Sequence, residues 1–360
     1  MLIFRYLAKE VFTTLLALTC ILLLIFMSNQ FVQYLSRAAN GQIPAMFILK
    51  LMALELPMLL GLLLPLGFYM ALLLAYGRLY AESEMTVLHA CGYGPPQLLK
   101  HSLIMGSGVA VVVLIILLWV NPGIAVERVK LLRSSGIQVM IKTLVPGKFT
   151  ATSGGKDMFY VENMNKNHDR ATGVFLARLN QKNGKPRWDI LWADEAYATH
   201  NPKIGTNDLV LIDGHAYQGQ PGQADYQIVS FKQYETRLPE PVSSPKAGDL
   251  RSAATADLWP LGPGNEAKAA ELQWRFSIPL MVMVLTLVAV PLSRVNPRAG
   301  KYARLLPAII LFIAYANLMF ITRDAVAAGK LPLGLAIIGL HGSMVLIGVG
   351  LMWRNRKKPS

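Results

Sequence analysis

Cysteine is scarce, with Cys20 and Cys91 the only two in 360 residues. Neither lies in the polar middle of the chain, so no disulfide framework is indicated. Histidine is thin as well. In the polar middle His168, His200 and His215 are scattered without metal-ligand spacing. No nucleophile-elbow motif and no convincing triad occurs, which argues against a hydrolase or other enzyme. No Gly-x-x-x-x-Gly-Lys-Ser/Thr loop exists either. The Gly-Lys pairs at Gly147-Lys148, Gly155-Lys156 and Gly329-Lys330 lack the rest of a phosphate cradle. If ATP drives this protein, another subunit hydrolyses it.

Charge is also missing, and its absence is local. Six apolar runs are nearly free of it: Val11–Leu35, Ala45–Tyr76 and Leu103–Val120, then Phe276–Leu292, Leu305–Ile321 and Leu333–Trp353. Each has at least 17 residues, enough to cross a hydrocarbon core about 30 Å thick as a helix. Hydrophobic residues make up 53% of the chain and the mean hydropathy is +0.40. A soluble protein has no use for six such runs. The fold class read from this layout is an integral membrane α-helical protein, with six transmembrane helices and a polar domain inserted midway. The first run is too long for a signal-peptide core and has no small-residue cleavage site after it, so it reads as a retained helix.

The net charge of +14 fits a bilayer better than nucleic acid, because Lys and Arg are spread out or hug the ends of the runs. Arg5 and Lys9 precede run 1. Arg294, Arg298, Lys301 and Arg304 come after run 4, and Arg354, Arg356, Lys357 and Lys358 close the chain. With both termini in the cytoplasm every basic cluster falls inside, and the polar domain falls on the opposite side, the periplasm of a bacterium.

The polar domain reads as β. Short runs rich in β-branched and aromatic residues occur at Met158–Glu162, Gly173–Leu179, Trp188–Ala193, Ala196–Thr199, Asp208–Ile212 and Tyr226–Phe231. Turn signals divide them: Ser153-Gly154-Gly155, Asn183-Gly184, Asn201-Pro202, Asp213-Gly214 and Pro221-Gly222. Asp194-Glu195, between two strand-like runs, reads as a solvated turn. The natural class is a small antiparallel sandwich or jellyroll. Pro239–Pro263 reads as a loosely ordered connector and Asn265–Trp274 as a helical lead into run 4. The organisation is therefore 1–120 for the first three helices, 121–264 for the β domain and connector, and 265–360 for the last three helices and a basic tail.

Between runs 2 and 3 lies a short helix, near 82–91, bracketed by breakers. Ser83 is placed to cap it, and Glu84 in its first turn suits the helix dipole. Met85 and Leu88 form an apolar stripe, and Gly92-Tyr93-Gly94-Pro95-Pro96 stops the helix. A short amphipathic helix on the cytoplasmic side suits docking into a groove on a soluble partner.

Ionisable groups inside the runs are few. Lys50 and Glu55 read as an interfacial pair, and His341 as a hydrogen-bonded packing residue. Pro57, Pro65, Pro279 and Pro291 kink or end their helices. Gly106/Gly108 and Gly339/Gly342 allow close helix contact. Three helices on each side of the insert are too few for a pore around a bulky substrate, which makes a second, similar subunit plausible.

The segment Glu82-Ser83-Glu84-Met85-Thr86-Val87-Leu88-His89-Ala90-Cys91-Gly92 resembles the coupling-helix signature of the lipopolysaccharide-export permeases. The segment Val290-Pro291-Leu292-Ser293-Arg294-Val295-Asn296-Pro297-Arg298-Ala299-Gly300-Lys301 and the opening Arg5-Tyr6-Leu7 with Glu10 resemble the same family. The His-Ala-Cys-Gly and Asn-Pro-Arg versions are similar to its F-type branch. The resemblance covers essentially the whole chain. It implies a permease subunit of an ABC transporter in the bacterial inner membrane, which extracts lipopolysaccharide and passes it to a periplasmic bridge. It implies a periplasmic β-jellyroll, no cofactor, a paralogous G permease subunit and two copies of a cytoplasmic ATPase. A periplasmic jellyroll protein with a membrane helix is the further partner implied. Glu84, with Glu82 and His89 nearby, is implied in ATPase coupling, and helices 1 and 5 border the lateral gates. Where lipid phosphates are implied at the end of helix 1, the chain reads Asn29 to Arg37, with Arg37 the only cation and Gln30 and Gln33 offering hydrogen bonds. Arg323 after helix 5 is a second cation for the lipid. Two other readings are a membrane scaffold that couples a cytoplasmic ATPase to a periplasmic partner without moving lipid, and an ion-coupled carrier in which Glu55 is indispensable.

Overall fold

The computed structural model describes residues 2–39, 43, 45–134, 146–152, 157–165, 170–182, 185–201, 206–219, 226–237, 250–259, 262, 264–294 and 304–356. The basic segment 295–301, the histidine at 168 and the turn signals at 153–155, 183–184 and 221–222 lie outside the described residues.

Eight α-helices are described: α1 (Leu2–Ala39), α2 (Ile48–Ala81), α3 (Glu84–Ala90), α4 (Pro95–Ile115), α5 (Asn121–Ser134), α6 (Glu266–Leu292), α7 (Leu305–Ala327) and α8 (Leu333–Arg356). A π-turn, Ile116–Val120, joins α4 to α5. The third apolar helix therefore runs on beyond Val120, because Asn121-Pro122 sits where a helix can continue past a π-turn, whose i→i+5 bonds absorb the irregularity. Among the described residues six helices are long and apolar enough to cross a membrane, and they correspond one for one to the six apolar runs. Pro57 and Pro65 lie within α2, and Pro279 and Pro291 within α6.

The chain divides into two compact units. The first takes in Met1–Asn29, Met52–Val126 and Gly248–Ser360. Its centre is α6, which packs against α4, α7 and α8. The apolar window of α6 is 78% buried, against 17% in α1 and α7. A helix apolar on all sides belongs inside a bundle, whereas α1 and α7 leave most of their apolar surface for lipid or a neighbouring chain. Gly106 is a contact point, since a Cβ there would lie 2.8 Å from Thr286 Oγ1. Gly108, Gly339 and Gly342 face open space, so close helix contact does not explain them. His341 is buried and bonded to Tyr315 Oη at 2.5 Å, the packing role expected of it.

The second unit takes in Gln30–Leu51 and Glu127–Ala247. It holds the expected antiparallel β domain, six strands joined in sequential order: β1 (Thr150–Thr152), β2 (Asp157–Met164), β3 (Arg170–Lys182), β4 (Lys185–Asn201), β5 (Thr206–Gly219) and β6 (Gln227–Arg237). Two turn expectations fail here. Asp194-Glu195 lies inside β4, and Asp213-Gly214 lies inside β5.

The reason is a crease. Glu162, Gly173, Asp194, Asp213 and Lys232 stand level on β2 to β6, and each drops out of an otherwise unbroken register. Gly173 and Asp213 have φ of +62° and +47°. On one side of this line the inward residues are Phe159, Val161, Val174, Leu176, Leu191, Ala193 and Ala216. On the other they are Ala171, Ala196, Leu209 and Leu211. The inward parity thus switches from odd to even in the strands that cross the line. One extra residue per strand, all at one level, bends the sheet while keeping register, as a bulge does in a single strand. Residues from both sides share one core, so a single sheet supplies both walls.

Candidate functional site

Glu271 and Arg275 stand one turn apart on α6, 6% and 2% exposed. Arg275 Nε donates to Glu271 Oε1 at 3.2 Å, and Arg323 Nη2 of α7 donates to Glu271 Oε2 at 3.1 Å. One buried carboxylate therefore serves two guanidinium groups. Such a cluster persists only where its donors find acceptors. Arg275 finds them: Nη1 donates to Thr255 Oγ1 at 2.8 Å, and Nη2 to the carbonyls of Leu250 (3.1 Å) and Ala253 (3.0 Å). Thr255 in turn donates to the Leu118 carbonyl at 2.9 Å, inside the π-turn. A π-turn displaces carbonyls from the i→i+4 ladder, and here a side chain takes one up. The stretch 250–258, read as loose connector, is instead two short 3-10 turns clamped to α6.

Beside this cluster is a cavity of about 300 Å³. Met58, Leu59, Leu62, Leu117, Ile278 and Phe320 make its apolar wall, and Glu55, Asn121, Arg251, Glu271, Arg275 and Arg323 its polar end. The Arg323 guanidinium lies 4.9 Å from the centre of the Trp274 ring, which lies tilted by 38° against Phe320 with the ring centres 4.9 Å apart. Cation–π contact and the Glu271 bond hold Arg323 at the boundary between the two linings. An apolar slot with cations at one end is the shape of an anionic amphiphile. Lys50 pairs with Glu127 at 3.6 Å, and Glu55, five positions on along α2, lines this cavity. Five positions of separation put them on different faces of α2.

Gln30, Gln33 and Arg37 succeed one another at three- and four-residue spacing on α1, hence on one face. Gln33 and Arg37 are exposed, Gln30 partly so, and the Arg37 guanidinium lies 6.0 Å from the Tyr34 ring centre.

The short helix α3 starts where the sequence placed it, but Ser83 does not cap it. Ser83 has φ +64° and makes no side-chain cap bond. Met85 is fully buried and Leu88 packs on the same core, so the apolar stripe faces this chain's own bundle rather than a partner. Exposed on α3 and its entry are Glu82, Glu84, Thr86, Val87 and Ala90. Gly92, with φ +86°, ends the helix where a side chain would be strained. His89 is held at both nitrogens: Nδ1 donates to the Tyr93 carbonyl at 2.7 Å, which leaves Nε2 to accept from Tyr80 Oη at 3.3 Å. Glu84 Oε2 accepts from Tyr6 Oη at 2.5 Å, and Arg78 bridges Glu10 and Glu82. Burial of Tyr93 pushes its hydroxyl up to about 12, so it stays a donor to His101 Nδ1 at 2.6 Å.

Sequence reasoning missed the Glu271–Arg275–Arg323 cluster. Run 4 begins at Phe276, one residue beyond Arg275, and so includes neither α6 member. The available signal was an acid and a base at i, i+4 abutting an apolar run. Among the described residues no three His, Cys, Asp or Glu side chains are grouped to hold a metal ion.

Comparison with known proteins agrees with this architecture. The model of the lipopolysaccharide export system permease LptF/LptG family matches residues 5–354. The lipopolysaccharide export system permease protein LptF of Escherichia coli strain K12 is 30% identical over 331 residues, 92% of this chain and 89% of that protein. The protein of the same name from Shigella flexneri matches to the same extent. Six membrane-crossing helices split three and three by a β domain, matched over nearly their whole length, place this chain in the LptF/LptG family of lipopolysaccharide export system permeases.

Proposed function

We propose that the chain is the F-type permease subunit of an ABC transporter that extracts lipopolysaccharide from the inner membrane and passes it to a periplasmic bridge. The observation that carries this reading is the family match over residues 5–354, with the three-plus-three helices intact. Both termini lie in the cytoplasm, and the β domain and residues 250–258 lie in the periplasm, as the basic flanks require. A paralogous G subunit completes the lipid path, and two copies of a separate ATPase hydrolyse ATP. A periplasmic jellyroll protein with a membrane helix receives the lipid.

Glu84 and Glu82 present carboxylates to the ATPase from the exposed side of α3, and His89 shapes the end of that helix rather than reaching out. Arg37, Gln30 and Gln33 on α1, and Arg323 at the α6–α7 cavity, meet the phosphates and sugars of the lipid. Arginine suits this task because its planar fork pairs with two phosphate oxygens at once.

The test is affinity purification in mild detergent, with and without Glu84→Arg, identifying bound proteins and bound lipid by mass spectrometry. A soluble ATPase, a paralogous six-helix chain and lipopolysaccharide are expected with the parent protein, and selective loss of the ATPase from the variant. An ATPase without lipid would favour a scaffold that moves nothing. Absence of an ATPase from both samples would overturn the transporter reading.

A further inference from the structure

Within the first unit, the first helix is held at one end. Its residues buried against the bundle there are Leu7, Val11, Leu15 and Thr19, one stripe at four-residue spacing. The stripe meets α2 near Gly67, where a Cβ would lie 2.9 Å from Thr19 Oγ1. Beyond it Leu24, Ile25 and Phe26 are exposed. At the anchored end two polar ties join α1 to α3 and to the last turn of α2. Tyr6 Oη donates to Glu84 Oε2 on α3, and Glu10 pairs with Arg78 in the last turn of α2, which also reaches Glu82 at 4.0 Å. Every carboxylate and guanidinium at the start of α3 is thus tied, directly or through Arg78, to the first three turns of α1.

We propose that Tyr6 is a positioning residue, a strut that carries displacement of α3 into α1. The inference rests on the reading of α3 as the ATPase contact and adds the route by which force leaves it. The buried stripe on the bundle runs from Leu7 to Thr19, so a shift imposed at Tyr6 enters α1 within its anchored end and is passed along the helix. Leu7 and Val11 hold α1 on the bundle, while the Tyr6 hydroxyl alone joins it to Glu84. One carboxylate oxygen of Glu84 is engaged in this way, and the other is left to face a cation on the ATPase.

The experiment uses the whole complex, ATPase and both permease chains, in proteoliposomes containing lipopolysaccharide, and compares Tyr6→Phe with Glu84→Gln. The readouts are ATPase retained on purification and lipid released per ATP hydrolysed. Tyr6→Phe keeps the ring and removes only the tie. It is expected to retain the ATPase while lipid released per ATP falls several-fold. Glu84→Gln keeps an acceptor for Tyr6 but removes the charge, and is expected to lose ATPase. A structural lesion lowers both activities together and leaves their ratio unchanged, which would overturn the strut, as would an unchanged ratio in a fully active Tyr6→Phe complex. Loss of ATPase from Tyr6→Phe equal to that from Glu84→Gln would assign Tyr6 to docking instead and also overturn it. If the parent complex hydrolyses ATP without releasing lipid, the transport reading fails, and the strut fails with it only if Tyr6→Phe also leaves nucleotide-driven movement of a spin label on α1 unchanged.

Discussion

Arg275 Nε lies 3.2 Å from Glu271 Oε1, and both side chains are sealed from solvent. Removing Arg275 leaves Glu271 with Arg323 alone and strips Thr255 and the carbonyls of Leu250 and Ala253 of their donor, within a buried cluster where loss of one partner costs up to about 3–5 kcal/mol. Arg275→Ala is therefore expected to lower the detergent-solubilised melting temperature markedly and to expose 250–258 to protease. Glu271→Gln with Arg275→Gln is expected not to recover this loss, since Arg323 then keeps its charge without its carboxylate.

At the crease, a Cβ on Gly214 would stand 2.2 Å from the Trp192 carbonyl oxygen and 2.7 Å from Phe231 Cζ. No side-chain rotation relieves a clash with backbone. Gly214→Ala is expected to lie in the severe tail of single substitutions, about 4 kcal/mol or more. Gly108→Ala, with nothing within 4 Å, is expected to be neutral. Limited proteolysis of the β domain in the purified chain distinguishes the two.

The two faces of α3 are expected to behave oppositely. Met85→Ala empties a fully buried site and costs about 2–5 kcal/mol in the permease itself. Val87 is 61% exposed, so Val87→Ala is expected to change permease stability by less than about 0.5 kcal/mol and to weaken ATPase retention. Thermal denaturation of the permease alone and pull-down of the complex measure the two effects separately.

Arg323→Gln is expected to reduce co-purified lipopolysaccharide roughly ten-fold or more, because a hydrogen bond to a charged group contributes about 1.5–3 kcal/mol. Glu55→Gln is expected to leave transport independent of a proton gradient. A requirement for Glu55 together with such a gradient would revive the ion-coupled carrier.

The sequence by itself determined the membrane class, the three-plus-three layout, the β character of the insert and the bracketed short helix. These rest on composition and local period: some 20 apolar residues span a bilayer whatever surrounds them, and a glycine such as Gly92 ends a helix through its own backbone freedom. What escaped it depends on partners distant in the chain. Asp194-Glu195 and Asp213-Gly214 carry turn chemistry in one dimension, but level with Gly173 and Glu162 they become a crease inside continuous strands. The stripe of Met85 and Leu88 is visible in sequence, yet only packing decides that it faces this chain's bundle. Glu271 gains its two arginines across 4 and 52 positions of chain. Hydropathy records where charge is absent, whereas a buried charge is tolerated only where the folded chain supplies its counter-ions and acceptors.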